Sequence, residues 1–271
     1  MKLDLHIHSM YSVDSDSSIQ AIISMAKRRG LDGISITDHN SLEGSKQALK
    51  LNNTDLLIIP GAEYSTDIGH LLVYFLKEGL EDLGLKRNTQ GIYNSSDIIV
   101  SAHEQKALVF MAHPFQRVTD FDKRGFDLVD GIEVYNSRAA KWRNLNANLD
   151  AMKHAIKLNK PYTAGSDAHY INEIGNAYID IAITESNIED IKQSLQNNKR
   201  TIIGRASSSI NRPKSQIIKC RKTKSLTSPK TLLKLGYFSL MEAMLYIKLN
   251  KKPIEGSFSL TNEGVERIDI D

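Results

Sequence analysis

One cysteine, one tryptophan and six prolines in 271 residues remove several architectures at once. A lone Cys220 cannot form an internal disulfide, and its isolation excludes a cysteine-rich zinc site. No apolar run approaches the roughly 20 residues of a membrane helix; the longest are 56–62 and 71–76. The amino-terminal MKLDLHIHSM carries charge where a secretory signal is apolar. No internal repeat or sustained low-complexity run is visible. The expectation is a soluble, cytoplasmic protein without membrane contacts. Hydrophobic residues at 41% and charged residues at 25% are ordinary globular values, which excludes disorder over the whole length.

The net charge of +3 is unevenly spread. Residues 205–271 hold 13 Lys+Arg against 6 Asp+Glu, an excess of +7, and the rest carries −4. All eight histidines lie in the acidic part. This break predicts a core domain over 1–204 and a basic C-terminal extension over 205–271. Residues 206–230 read as a linker, rich in Ser, Lys and Arg, and 229–249 has enough apolar residues for one or two short helices.

The core reads as alternating strands and helices. Apolar, β-branched runs occur at 3–7, 33–37, 56–60, 70–76, 107–111, 129–135, 161–164 and 178–183, with helix-like segments at 18–29, 41–51, 95–106, 140–158 and 187–197. Ser18, Ser41 and Asn187 are placed as helix caps. Such alternation predicts an α/β protein with a largely parallel sheet. Its repeating units in about 200 residues fit a closed or nearly closed barrel better than an open sheet.

Ligand-type residues fall where strands end. His6 and His8, at i and i+2 on a strand, share one face. Asp38 and His39, Glu63, His113, Glu133 and Asn136, and Asp167 and His169 follow other strands. Any one pair is unremarkable, since a strand histidine is often only a half-buried polar residue. Five of eight histidines at strand ends, each beside a carboxylate or another histidine, point to a metal centre on one rim. His103 and His154 fall mid-helix, and His70 opens an apolar strand, where a core histidine is the simpler reading. Imidazole and carboxylate donors without thiolates suit Zn, Mn or Fe. Arg117 and Arg138 follow rim strands and are candidates to grip an anion.

In order along the chain, D-L-H-I-H-S-x-x-S, T-D-H-N, G-A-E, A-H-P, E-V-Y-N and G-S-D-A-H resemble the motifs of the PHP (polymerase and histidinol phosphatase) family, over residues 1 to about 205. The resemblance implies a distorted seven-stranded (β/α) barrel with two or three divalent metals at its rim, and hydrolysis of a phosphoester. Carried over by motif, one metal would be held by His6, His8, Glu63 and Asp167. Glu63 would bridge to a second bound by His113, and a third would use Asp14, His39 and His169. Trinuclear members of the family place a further histidine after Glu63. Here VYFLKEG (73–79) has none and His70 comes earlier, so a dinuclear centre is the alternative. Asp38 matches a position that orients a ligand, and Asp16 fits the motif less well than Asp14. His39, His169 and Arg138 are the expected catalytic groups beyond the metals. The expected substrate is a small phosphorylated metabolite or nucleotide. The alternatives are a nuclease drawing nucleic acid to the basic segment, although few aromatics (Tyr237, Phe238, Tyr246) accompany it, and a non-catalytic metal-binding regulatory domain. Nothing in the sequence specifies an oligomeric state.

Overall fold

The computed structural model describes residues 1–116, 125–141, 144–183, 187–197, 199–224 and 252–268, with isolated positions between 233 and 247. Arg117, Phe238, Tyr246 and most of the 229–249 segment lie outside the described residues. Strands β1 (Lys2–Ile7), β2 (Gly33–Ile36) and β3 (Leu57–Ile58) are followed by the hairpin β4 (Gly61–Thr66) and β5 (Gly69–Tyr74). Then come β6 (Leu108–Met111), β7 (Gly131–Asn136), β8 (Tyr162–Gly165), β9 (Ala177–Asp180), β10 (Thr201–Gly204), β11 (Gly256–Thr261) and β12 (Gly264–Ile268). Helices are α1 (Ile19–Arg28), α2 (Glu43–Leu51), α3 (Ser95–Glu104), α4 (Gly125–Leu128), α5 (Ala147–Leu158), α6 (Ile188–Leu195) and α7 (Asn211–Lys222).

The expected closed barrel is not what the strands form. They make two sheets, one ordered β12-β11-β10-β9-β1-β2-β3 and the other β4-β5-β6-β7-β8. Nor is the sheet largely parallel: β1–β2, β2–β3, β6–β7 and β7–β8 pair parallel, whereas β4–β5, β5–β6 and the run β1-β9-β10-β11-β12 are antiparallel. The sheets meet at two seams through isolated bridges instead of continuous ladders. At one, the His8 amide donates to the Ala168 carbonyl at 2.8 Å; at the other, Asn40 donates to the Glu63 carbonyl at 2.8 Å. The physical reason is local. The β4–β5 hairpin takes the place of a crossover helix, and a two-residue β3 is too short to carry a ladder from β2 to β4.

Local sequence explains the helices. Ser18 caps α1 by accepting from the Ala21 amide, and Ile19, Ile22, Ile23 and Ala26 form its buried stripe. Asn187 caps α6 as expected. For α2 the cap is Leu42 rather than Ser41, although the Ser41 hydroxyl accepts from the Glu43 amide at 3.2 Å. The composition break at residue 205 falls between β10 and α7, yet β11 and β12 prolong the sheet that contains β1.

Gly165, the last residue of β8, lies against β1 so closely that a methyl group there would meet the His6 Cβ at 2.3 Å and its amide nitrogen at 2.8 Å. Backbone cannot yield as a flexible side chain would. Gly165→Ala is expected to destabilise the metal-free protein by about 2 kcal/mol, as overpacking does, and to displace His6. Urea denaturation of the metal-free chain measures it.

Candidate metal centre

Alternation along β1 puts Asp4, His6 and His8 on one face, and all three are fully buried. Asp14 comes from the loop before α1, His39 follows β2, Glu63 lies on β4, His113 follows β6, and Asp167 and His169 follow β8. These side chains converge in four overlapping groups: His8, Asp14, His39 and His169; His6, Glu63 and His113; His6, His8 and Asp167; and His39, Glu63 and His70. Within each group the donor atoms lie within 4.8 Å of one another.

Three imidazoles are oriented by their outer nitrogens. His6 Nδ1 is 2.8 Å from Glu133 Oε1, His8 Nδ1 is 2.9 Å from Ser12 Oγ, and His169 Nδ1 is 2.9 Å from the Asp167 carbonyl. Each ring thereby turns Nε2 inward, as a metal-ligating histidine does when a partner fixes its other nitrogen. The Nε2 atoms of His6 and His8 face each other at 3.1 Å, and His8 Nε2 is 3.3 Å from Asp167 Oδ1. Glu63 occupies the middle. Its Oε1 lies 2.8 Å from His70 Nδ1 and 3.0 Å from His113 Nε2. Its Oε2 lies 2.8 Å from His39 Nδ1, 3.4 Å from His8 Nε2 and 3.6 Å from His6 Nε2.

Donor chemistry and unmet bonding both fit divalent metal ions. Asp14 Oδ1, His39 Nδ1 and Glu63 Oε2 are buried with no hydrogen-bond partner, although the last two are close neighbours. Buried polar atoms seldom go unsatisfied, and an ion or water is the usual explanation. The charges are equally unsettled. Burial opposes ionisation of Glu63, but His70, His39, His6 and His113 hold its carboxyl well below the usual range. Asp167 and Asp14 are pulled down likewise by their histidines, against burial. Burial works against the His6 and His39 cations, yet the carboxylates around them keep both well above the ordinary histidine value. His8 goes the other way, pushed down to about 3 by burial and by His169 and His39.

Backbone geometry is also unusual here. His113 (φ 28°) and Asp167 (φ 51°) hold left-handed conformations, which cost a non-glycine residue about 1 kcal/mol or more and collect at functional sites. Asp38 is buried and accepts from the Ser9 amide and hydroxyl, both at 2.6 Å; it braces the loop that leads to Asp14.

A cavity of about 150 Å³ opens over Asp14, His39, Glu63, His113, Asp167 and His169. Arg138 lies on its wall. Its Nε donates to Glu173 at 3.0 Å and its Nη2 to Ser215 at 2.8 Å, while Glu173 accepts from the His169 amide at 3.1 Å. The expected anion-gripping residue therefore also braces a ligand loop. Asp16 is not among the ligand groups and pairs with Arg221.

Sequence reasoning missed several participants. His70, read as a core histidine, reaches Glu63. The signal was present in the hairpin register, because Ser65 shares a face with Glu63 and pairs directly with His70. Glu133 was noted only as a strand-end residue, but it orients His6 and also accepts from Asn136 Nδ2 at 3.0 Å. Lys141, and Arg212, Ser215 and Gln216 of α7, line the cavity as well. No local pattern announces the three residues of α7, since they depend on where the extension folds back.

Among known proteins, the model of the PHP-associated family matches residues 146–199. The uncharacterized protein MJ0417 of Methanocaldococcus jannaschii is 33% identical over 198 residues, spanning 70% of this chain and 73% of that protein. In fold, the chain is similar to a two-domain protein from Bacteroides vulgatus described as containing a predicted PHP-like metal-dependent phosphoesterase. The TM-score is 0.61 at 19% identity, over 81% of this chain and 70% of that one. PsfC from Pseudomonas syringae is similar at a TM-score of 0.57 and 18% identity, over 83% and 98%. With a relative of this identity and coverage and the PHP-associated match, the chain belongs to the PHP family, and its fold is that of the PHP-like structures.

Proposed function

We propose that the chain hydrolyses a phosphomonoester of a small metabolite or nucleotide at a di- or trinuclear centre of Zn, Mn or Fe. The observation that carries this reading is Glu63: one buried carboxylate whose two oxygens face separate sets of histidines. His6, His8, Glu63 and Asp167 would hold one ion, Glu63, His113 and His70 a second, and Asp14, His39 and His169 a third. When bound, such ions acidify water to near-neutral pKa and offset phosphoryl charge. With only two ions bound, His39 and His169 would be free of a third and, lining the cavity, would serve to give a proton to the leaving oxygen. Arg138 and Arg212 line the same cavity and would bring positive charge toward phosphoryl oxygens bound there.

A monoester is favoured over a nucleic acid by how the basic segment uses its charges. Among the described residues of that segment, Arg221 pairs with Asp16 and Lys222 takes carbonyls of the 10–15 loop. These two cations serve the protein itself.

The test is turnover of p-nitrophenyl phosphate, its bis ester, nucleoside monophosphates and short oligonucleotides with added Mn²⁺, alongside metal content. Monoester turnover that vanishes in an Asp167→Ala, His169→Ala double variant is expected. Arg212→Ala should raise KM for the monoester about tenfold, the size of one charge-assisted contact, with kcat nearly unchanged. Diester preference would instead support the nuclease, and metal uptake without any turnover the regulatory domain.

A further inference from the structure

The loop from Ser9 to Ser17 delivers Asp14 and touches two more ligands. Ser12 Oγ bonds His8 Nδ1 at 2.9 Å and accepts from the His39 amide at 2.9 Å. Hydrophobic packing does little to place the tip of this loop, because Met10, Tyr11 and Val13 are exposed at 52%, 41% and 38%. Its carbonyls instead turn toward one cation. Lys222, in the last turn of α7, donates from Nζ to the carbonyls of Met10 (2.8 Å), Ser12 (2.7 Å) and Ser15 (2.5 Å). Those three acceptors match the three donors of an ammonium group. Next to it, Arg221 pairs with Asp16 on the same loop. At the other end of α7, Arg212 is bonded to the carbonyls of Arg138 and Ala140. The helix thus ties the loop that carries Asp14 to the wall that carries Arg138.

We infer that Lys222 is a positioning residue for the metal centre: it holds the 9–17 loop in the shape that aims Asp14 at the ion shared with His39 and His169. This rests on the metal-centre reading above. It gives the C-terminal extension a definite task, since a lysine more than two hundred positions from Asp14 sets the geometry of a ligand.

Titration of the full-length, metal-free chain with Mn²⁺ tests it. Lys222→Met keeps the aliphatic stem and removes all three donors. It should weaken the most loosely held ion at least tenfold, and bring uptake one ion per chain below wild type at limiting metal. Amide hydrogen exchange over residues 10–16 should quicken in the metal-free variant. Lys222→Arg should restore most of the affinity. In a double-variant cycle, Lys222→Met should add nothing to the loss already caused by Asp14→Asn, because both act on one ion. Should Lys222→Met not fold, Lys222→Gln, with two neutral donors, takes its place and should show an intermediate loss. Unchanged uptake and unchanged exchange would overturn the inference, as would losses from Lys222→Met and Asp14→Asn that simply add. A lower Tm with an unaltered titration curve would leave Lys222 a purely structural residue and overturn it too. A wild-type chain that takes up no metal would overturn the metal-centre reading itself, whereas a loading wild type with an equally loading variant defeats only this inference.

Discussion

Glu63→Gln is expected to lower kcat/KM by about a thousandfold, or roughly 4 kcal/mol of transition-state stabilisation, and to reduce bound metal by at least one ion per chain. The substitution keeps size and shape. It replaces one carboxylate oxygen by an amide nitrogen, which cannot ligate, and removes the negative charge that the surrounding histidines share. Whichever way the amide turns, either the His70–His113 side or the His39 side loses its oxygen. Glu133→Gln is the informative contrast. Glu133 is equally buried but touches the centre only through the outer nitrogen of His6 and the amide of His113. A group at that remove typically contributes ten- to a hundredfold. Equal losses in the two variants, or full metal content in Glu63→Gln, would refute the bridging role.

Metal uptake should release protons and should strengthen as pH rises. In the metal-free chain the carboxylates around His6 and His39 hold both above the ordinary value against burial, which favours their protonated rings. Ligation needs the neutral ring, so an ion taken up at His6 or His39 must expel a proton, and acid competes with metal there. The signs for stability are opposite in the two states. A raised histidine pKa stabilises the metal-free fold fully below the unfolded value near 6.5, and that contribution fades as pH climbs through the elevated folded value. The metal's contribution grows over the same interval. An ion present at about a thousand times its Kd adds about 4 kcal/mol, which for a chain of this size raises Tm by roughly 10 °C. Thermal scans with and without EDTA at pH 6, 7 and 8 should therefore show a widening gap, and calorimetry in two buffers of different ionisation enthalpy should count the protons. A gap independent of pH would contradict the protonated state of His6 and His39.

Much of the centre was legible because strand periodicity is strict. Alternation alone places His6 and His8 together, and the strand-end positions of His39, His113, Asp167 and His169 follow from where the apolar runs stop. Connectivity was less legible. The segment around Glu63 reads as a short buried run at 56–60 followed by a loop, whereas the chain stops pairing after Ile58 and restarts as an antiparallel hairpin. That change breaks the ring into two sheets and carries His70 to the site. The strands at 201–204, 256–261 and 264–268 went unread because they are partly polar, and because the contact that joins the last two to the sheet is distant in sequence, Thr201 with Ser259. The role of α7 had no local signature at all: its twelve residues, five of them Lys or Arg, read as part of a linker, whereas they form a helix whose Lys222 the fold brings under the 10–15 loop.

The two seams between the sheets acquire a further meaning from the ligand list. His6, His8 and His39 belong to the seven-stranded sheet and its loops, whereas Glu63, His70, His113, Asp167 and His169 belong to the five-stranded sheet and its loops. Each ligand group that contains Glu63, Asp167 or His169 therefore draws on both sides of a joint that the backbone bridges only at isolated points. An ion bound by His8 and Asp167 would fasten residues 159 positions apart. Closing a loop of that length restrains the unfolded chain by about 5 kcal/mol in the chain-entropy treatment of cross-links. In a protein whose single cysteine rules out a disulfide, coordination would serve as the rivet between two half-shells, so that loss of metal would loosen the joint as well as the chemistry.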